Sequence, residues 1–100
     1  MILALAGIIA GCTATGPTRH TVDIRDMNFA TVTVPVAMGD TIVWTNRDPV
    51  PHTVTATDGT WSSAELGTND SFTMVVRETQ PLEYLCRYHP TMTGRITINH

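Results

Sequence analysis

The sequence predicts an all-β fold, a two-sheet antiparallel sandwich or barrel, and three observations carry that expectation. Valine and threonine are abundant and long runs of Leu, Glu, Lys and Ala are absent, a balance that favours strands over helices. From His20 onward, short stretches of alternating apolar and polar residues follow one another, each closed by a turn signal. The chain is 100 residues long, enough for one modest core and too short for a second.

The strands can be taken in order. Val22 and Ile24 open the first. Val32, Val34 and Val36 alternate with Thr33 and Pro35, and Pro35 places that strand at an edge or a bulge because its nitrogen cannot donate. Gly39-Asp40 makes a turn, after which Ile42 and Trp44 point one way and Val43 and Thr45 the other. Val54 and Ala56 lead to a turn at Asp58-Gly59. The piece from Gly59 to Ser71 has no clear period and is expected to be a loop with room for one helical turn. Phe72, Met74 and Val76 then alternate, as do Leu82, Tyr84 and Cys86, and Ile96 and Ile98 close the series. Trp44, Tyr84, Met27, Met38 and Met74 are the expected large core residues.

The first twelve residues differ. MILALAGIIAGC is an apolar run too short to span a bilayer as a helix and about as long as a signal-peptide core. Its end, Ile9-Ala10-Gly11-Cys12, resembles the lipobox of bacterial and archaeal lipoproteins. That resemblance implies that residues 1–12 are a signal ending in an acylated Cys12, that residues 13–19 are a polar tether, and that the folded domain is 20–100. The alternative is an N-terminal apolar strand with a buried Cys12. A lipidated chain would lie on the periplasmic or cell-surface side of the cytoplasmic membrane, and otherwise the protein would be soluble in the periplasm. Exported thiols tend to be oxidised, so Cys86 needs a reason to stay reduced.

Composition excludes several classes. The net charge of −3 is spread along the chain without a basic stripe, which argues against nucleic acid as a partner. Two cysteines allow one disulfide at most, Cys12–Cys86, and that is no framework.

The chemistry lies near the C-terminus, in Cys86-Arg87-Tyr88-His89-Pro90-Thr91-Met92. Cys86 shares the inward face of its strand with Leu82 and Tyr84, and the loop beyond returns His89 and Met92 over it. His52 is the natural fourth donor, since Pro49-Val50-Pro51 stiffens the chain just before it. One thiolate, two imidazoles and a weak thioether form the trigonal set with a long axial ligand expected of blue copper. A structural zinc site would want four strong ligands, and this set supplies three. His20 and His100 are expected to be surface or otherwise satisfied residues.

These residues resemble the cupredoxins, and within them the small plastocyanin-like and amicyanin-like proteins. The resemblance rests on Gly39-Asp40-Thr41-Ile42-Val43-Trp44-Thr45-Asn46, on Pro51-His52-Thr53-Val54, and on Tyr84-Leu85-Cys86-Arg87-Tyr88-His89-Pro90-Thr91-Met92 with its short Cys-to-His spacing. It implies a Greek-key two-sheet β-sandwich with His52, Cys86 and His89 as strong copper ligands and Met92 as the axial one. It also implies an apolar docking patch, for which Val50, Pro51, Tyr88, Pro90 and Met38 are candidates. Two positions depart from the family pattern: Thr53 stands where an Asn usually bridges the two ligand loops, and its hydroxyl can make only part of that network, while Gln80-Pro81 stands where a Gly precedes the last ligand strand.

Function follows from the copper set. The expected activity is one-electron transfer outside the cytoplasm, by a monomer, between redox proteins such as a cytochrome, a dehydrogenase or an oxidase. The alternative is copper storage or delivery, which usually uses Met-rich or paired sites with open exchange. An enzyme is not expected, because the H-x-H pairs of a multicopper oxidase and the second loop cysteine of a dinuclear site are both absent from the sequence.

Overall fold

The computed structural model of the protein describes residues 16–77 and 79–99. The apolar segment 1–12 with Cys12, the start of the tether, and His100 lie outside the described residues. Within them the chain forms eight strands and no helix: β1 (Arg19–Arg25), β2 (Asn28–Phe29), β3 (Thr33–Ala37), β4 (Thr41–Asn46), β5 (Thr55–Ala56), β6 (Ser71–Val75), β7 (Glu83–Cys86) and β8 (His89–Asn99). One sheet has the order β2-β1-β4-β6 and the other β3-β8-β7-β5.

The inner faces of the two sheets are those the alternation marks. Val22 and Ile24 of β1, Val34 and Val36 of β3, Ile42 and Trp44 of β4, Met74 of β6, Tyr84 and Cys86 of β7 and Ile96 of β8 are all buried together in one core. Trp44 lies at its centre, stacked on Phe72 at 5.7 Å and edge-on to Tyr84 at 5.4 Å. Tyr84 and Gly94 face each other across β7 and β8. A Cβ at residue 94 would run into the Tyr84 ring, so the close approach requires glycine.

Four expectations are corrected. The sheets are mixed: β1 pairs parallel with β4, and β3 parallel with β8. The cause is topological. After β1 the chain makes the short return β2, crosses to the other sheet as β3, and comes back as β4 beside β1 in the same direction. Strand β2 itself was not legible, because two residues carry no period. The stretch 59–71 contains no helical turn and is instead tied down by bridges from His52 to Leu66 and from Thr55 to Ser62. Met27 and Met38 are exposed rather than core, and Val32 lies outside the core as well; all three sit in or beside turns, where a thioether or isopropyl group has no opposing sheet to meet. Pro35 does lie on an edge strand, since β3 ends its sheet.

Candidate metal centre

Three chain segments meet at one end of the sandwich. Strand β7 ends at Cys86, and β8 begins at His89 directly opposite it, so Arg87 and Tyr88 form the whole of a two-residue hairpin loop. Neither loop residue has a positive φ, so this is not the mirror-image turn that matches strand twist. The ladder absorbs the mismatch by a register shift between Leu85 and Cys86. That shift sets the Cys86 side chain beside the His89 ring, with Sγ 3.7 Å from Nδ1.

The second imidazole arrives from the β4–β5 connection. His52 is pinned through its main chain, since its N–H donates to the Leu66 carbonyl at 3.1 Å and its carbonyl accepts from Leu66 N–H at 2.8 Å. Its ring is fully buried, with Nδ1 3.7 Å from Cys86 Sγ. The two rings lie 5.2 Å apart. One ligand atom from each of His52, Cys86 and His89 falls within 4.8 Å of the others.

The Asp48 carboxylate settles which His52 nitrogen is free. Asp48 Oδ2 lies 2.8 Å from His52 Nε2. A carboxylate only accepts, so Nε2 carries the proton and the Nδ1 lone pair faces the thiol. Asp48 is held in turn by the N–H groups of Asp26 at 2.7 Å and Met27 at 2.9 Å. Those two residues adopt the left-handed region, with φ of 53° and 62°, although neither is glycine. A strained turn thus presents two amides to one carboxylate. Burial pushes the Asp48 carboxyl up, but the amide of Met27, the His52 ring and the amide of Asp26 outweigh it and hold the group below the usual carboxylate range. Asn46 fixes the loop from beneath: its Nδ2 donates to the carbonyls of Val50 and Leu66, and its Oδ1 accepts from Asp48 N–H.

Thr53 bridges the two ligand segments. Its N–H approaches Cys86 Sγ at 3.4 Å, and its hydroxyl accepts from the N–H of Arg87 at 2.8 Å. The hydroxyl chain beyond it has one consistent direction. Ser62 donates to the Ser63 carbonyl, so Thr55 must donate to Ser62 and Thr53 to Thr55. The Arg87 guanidinium closes the loop by donating to Ser62 at 3.0 Å. The sequence suggested that Thr53 could make only part of a bridge; with Thr55 and Ser62 it makes a continuous one.

The donor set fits a copper ion. Strong ligands about 2.0–2.3 Å from a shared ion stand about 3.5–3.8 Å from each other, the separation seen here between the thiol and both imidazoles. Met92 is buried on β8, three residues after His89. His89 is half-buried, and Val50, Pro51, Tyr88 and Pro90 are exposed or half-exposed around this end. Met38 is not with them. It follows Ala37, which pairs with Asn99 at the far end of β8, more than about 20 Å from His89 at the usual strand rise. Met27 takes a place at this end instead, on the turn bound to Asp48. Asp48 and Asn46 carried no assigned role in the sequence. The signal that could have found Asp48 is its position four residues before His52, on the same loop.

Comparison with known proteins points the same way. Residues 17–99 match the family model of copper-binding proteins of the plastocyanin/azurin family. Amicyanin from Paracoccus denitrificans is 30% identical over 82 residues, which are 77% of this chain and 63% of that protein, so the chain spans less than two thirds of this curated relative. Among solved structures, an oxidised methionine-to-leucine mutant of amicyanin superposes with a TM-score of 0.74 at 26% identity, covering 80% of this chain and 81% of that one. A purple cupredoxin from Nitrosopumilus maritimus superposes with a TM-score of 0.71 at 25% identity, covering 80% of this chain and 99% of that one.

Proposed function

The chain belongs to the plastocyanin/azurin family of copper-binding proteins, and from that premise we propose that it carries single electrons between redox proteins outside the cytoplasm. The ligands would be His52, Cys86, His89 and Met92, holding one copper ion. The observation that carries this reading is the convergence of one buried thiol with the Nδ1 atoms of two differently held imidazoles. When bound, copper supplies a Cu(I)/Cu(II) couple that accepts and returns one electron.

The residues around that set do the rest. Cys86 would bind the ion as a thiolate, and the Thr53 N–H points at its sulfur from 3.4 Å. Asp48 and the Leu66 main chain hold His52 in one orientation, which limits rearrangement between oxidation states. The hairpin loop keeps His89 at the boundary between core and solvent, where its half-buried ring offers the shortest way out of the site. Val50, Pro51, Tyr88 and Pro90 supply the apolar rim, a surface suited to brief docking of a cytochrome, dehydrogenase or oxidase. Membership in this family and the lipobox-like Ile9-Ala10-Gly11-Cys12 together support a periplasmic domain tethered, through the residues that precede β1, to a lipid on Cys12.

Copper(II) titration tests the reading. Wild-type protein should bind one ion and develop an intense visible band from charge transfer between sulfur and copper. In Cys86→Ser that band should vanish, because an alcohol is a poor substitute for a soft thiolate. Intense colour persisting in the variant would overturn the ligand assignment.

A further inference from the structure

The hairpin between Cys86 and His89 gets little help from its own turn. Two-residue turns that suit strand twist need positive φ, and Arg87 and Tyr88 lack it. Both residues are exposed, so core packing does not fix them either. Each is tied instead to the same short stretch, 62–66. The Arg87 guanidinium donates to Ser62 Oγ at 3.0 Å, and the Tyr88 hydroxyl donates to Glu65 Oε1 at 2.7 Å.

The far end of that stretch grips the other imidazole. Leu66 and His52 exchange both main-chain hydrogen bonds, at 2.8 and 3.1 Å. Thr55 bridges Ser62 in the same antiparallel sense. Between these two bridges the inner segment advances three residues, from 52 to 55, and the outer one four, from 62 to 66. The outer segment therefore carries one extra residue, a bulge, and bulges re-aim the side chains beside them. Ser63 marks the irregularity, since its hydroxyl accepts from Val54 N–H at 2.9 Å. Ala64 and Glu65 stand exposed just after it, and Leu66 returns to the core. Glu65 is thereby turned towards the hairpin.

We propose that Glu65 is a positioning residue for His89, and that segment 62–66 sets the spacing of the two imidazoles before any ion arrives. The inference rests on the ligand set proposed above. One brace holds His52 directly through Leu66, and it holds the residue next to His89 through Glu65. The His52 end is buried and bonded through its main chain, so the exposed Tyr88–Glu65 bond is the member that opens first. Opening it frees the loop and lets the half-buried His89 ring turn away from Cys86, while His52 stays in place. The bond is short and runs from a hydroxyl to a carboxylate, which makes it stronger than a neutral surface contact. The Arg87 guanidinium adds less, because the Arg87 N–H is bonded to Thr53 Oγ1 whatever the side chain does.

Glu65→Ala and Tyr88→Phe in the full chain test the latch, with Glu65→Gln as the conservative variant. In metal-free protein, NMR relaxation of the rings should show His89 gaining mobility in the first two variants and His52 keeping its own. Copper affinity, measured by chelator competition, should fall about three- to tenfold in each. The double variant should do no worse than Tyr88→Phe alone, because both changes cut one bond. Glu65→Gln keeps an oxygen that accepts from Tyr88 and should recover most of the loss. A His89 ring as quiet as in wild type, or losses that add in the double variant, overturns the proposal. So does Glu65→Gln as impaired as Glu65→Ala, which would mean that charge rather than a latch acts on the site. The ring measurement needs no metal, so it separates this inference from the ligand set. Wild type that binds no copper, with His89 still loosened by Glu65→Ala, would overturn the ligand set and uphold the latch.

Discussion

The two ends of the sandwich contain the same small device and put it to different uses. At the metal end, Asp48 accepts from the amides of Asp26 and Met27 and meets His52 Nε2 at 2.8 Å. At the far end, Asp40 accepts from the amides of Thr18 and Ala37 and meets His20 Nε2 at 2.9 Å. In both places two main-chain N–H groups fix a carboxylate, and the carboxylate fixes a ring. What differs is the other side of the imidazole. The His20 side chain is 25% exposed, and among the described residues no thiol or second imidazole joins it in a cluster. His52 is fully buried and faces Cys86. An Asp–His pair is a fastener by default, and it orients a metal ligand only where the ring's second nitrogen meets soft donors away from water.

Removing each ring should break the comparison most sharply. His52→Ala should lose tight copper binding and the intense visible band together. His20→Ala should bind copper as wild type does and show only lower thermal stability. Copper titration with both variants checks this, and equal loss in the two would mean that copper reports on general integrity of the sandwich.

Neutralising each carboxylate should give the next largest contrast. Asp48→Asn leaves the His52 ring without its charged partner, and outer partners of this kind are worth about 10–100-fold in metal affinity. The reduction potential should rise, because a weaker imidazole donor disfavours Cu(II) more than Cu(I). Asp40→Asn should change neither quantity. Chelator competition and voltammetry distinguish the outcomes, and identical behaviour of the two variants would make Asp48 a second fastener.

The same contrast shows what the sequence could reveal. The meeting of Cys86 and His89 was legible because only two residues separate them within one loop. His52 was legible because prolines stiffen the chain before it. The core was legible wherever a strand was long enough to alternate. Partners that depend on the path of the chain were not. Asp48 matters because a left-handed Asp26–Met27 turn delivers two amides to it across 21 and 22 residues of sequence, and Asp-Met is not a pair that advertises such a turn. The exposure of Met27 has the same origin. Thr53 was read as half a bridge because its hydroxyl continues through Thr55 and Ser62, which meet only once the 59–71 loop folds back. The parallel β1–β4 and β3–β8 pairs were hidden because strand direction depends on connections rather than on periodicity.

The smallest effect is expected at the far end, in acid. The Thr18 amide, then the His20 ring and the Ala37 amide, draw the Asp40 carboxyl down from an ordinary 3.8 to about 2. A depressed carboxylate stabilises the fold through its charged form. Above about pH 5 the group is ionised whether folded or not, and the contribution is fully present. As pH falls, the unfolded chain takes up the proton first, so the contribution shrinks and is gone once pH has dropped through the folded value. Thermal unfolding of metal-free protein between about pH 5 and pH 2 should therefore show wild type losing its advantage over Asp40→Asn. The Asp48 carboxyl is also held low, but it is present in both proteins and cancels in the difference. The size should be modest, because the His20 partner is partly open to water and its attraction is screened. Two profiles that stay parallel throughout would show that Asp40 does not fasten this end through its charge, and the likeness between the two ends would then be one of geometry alone.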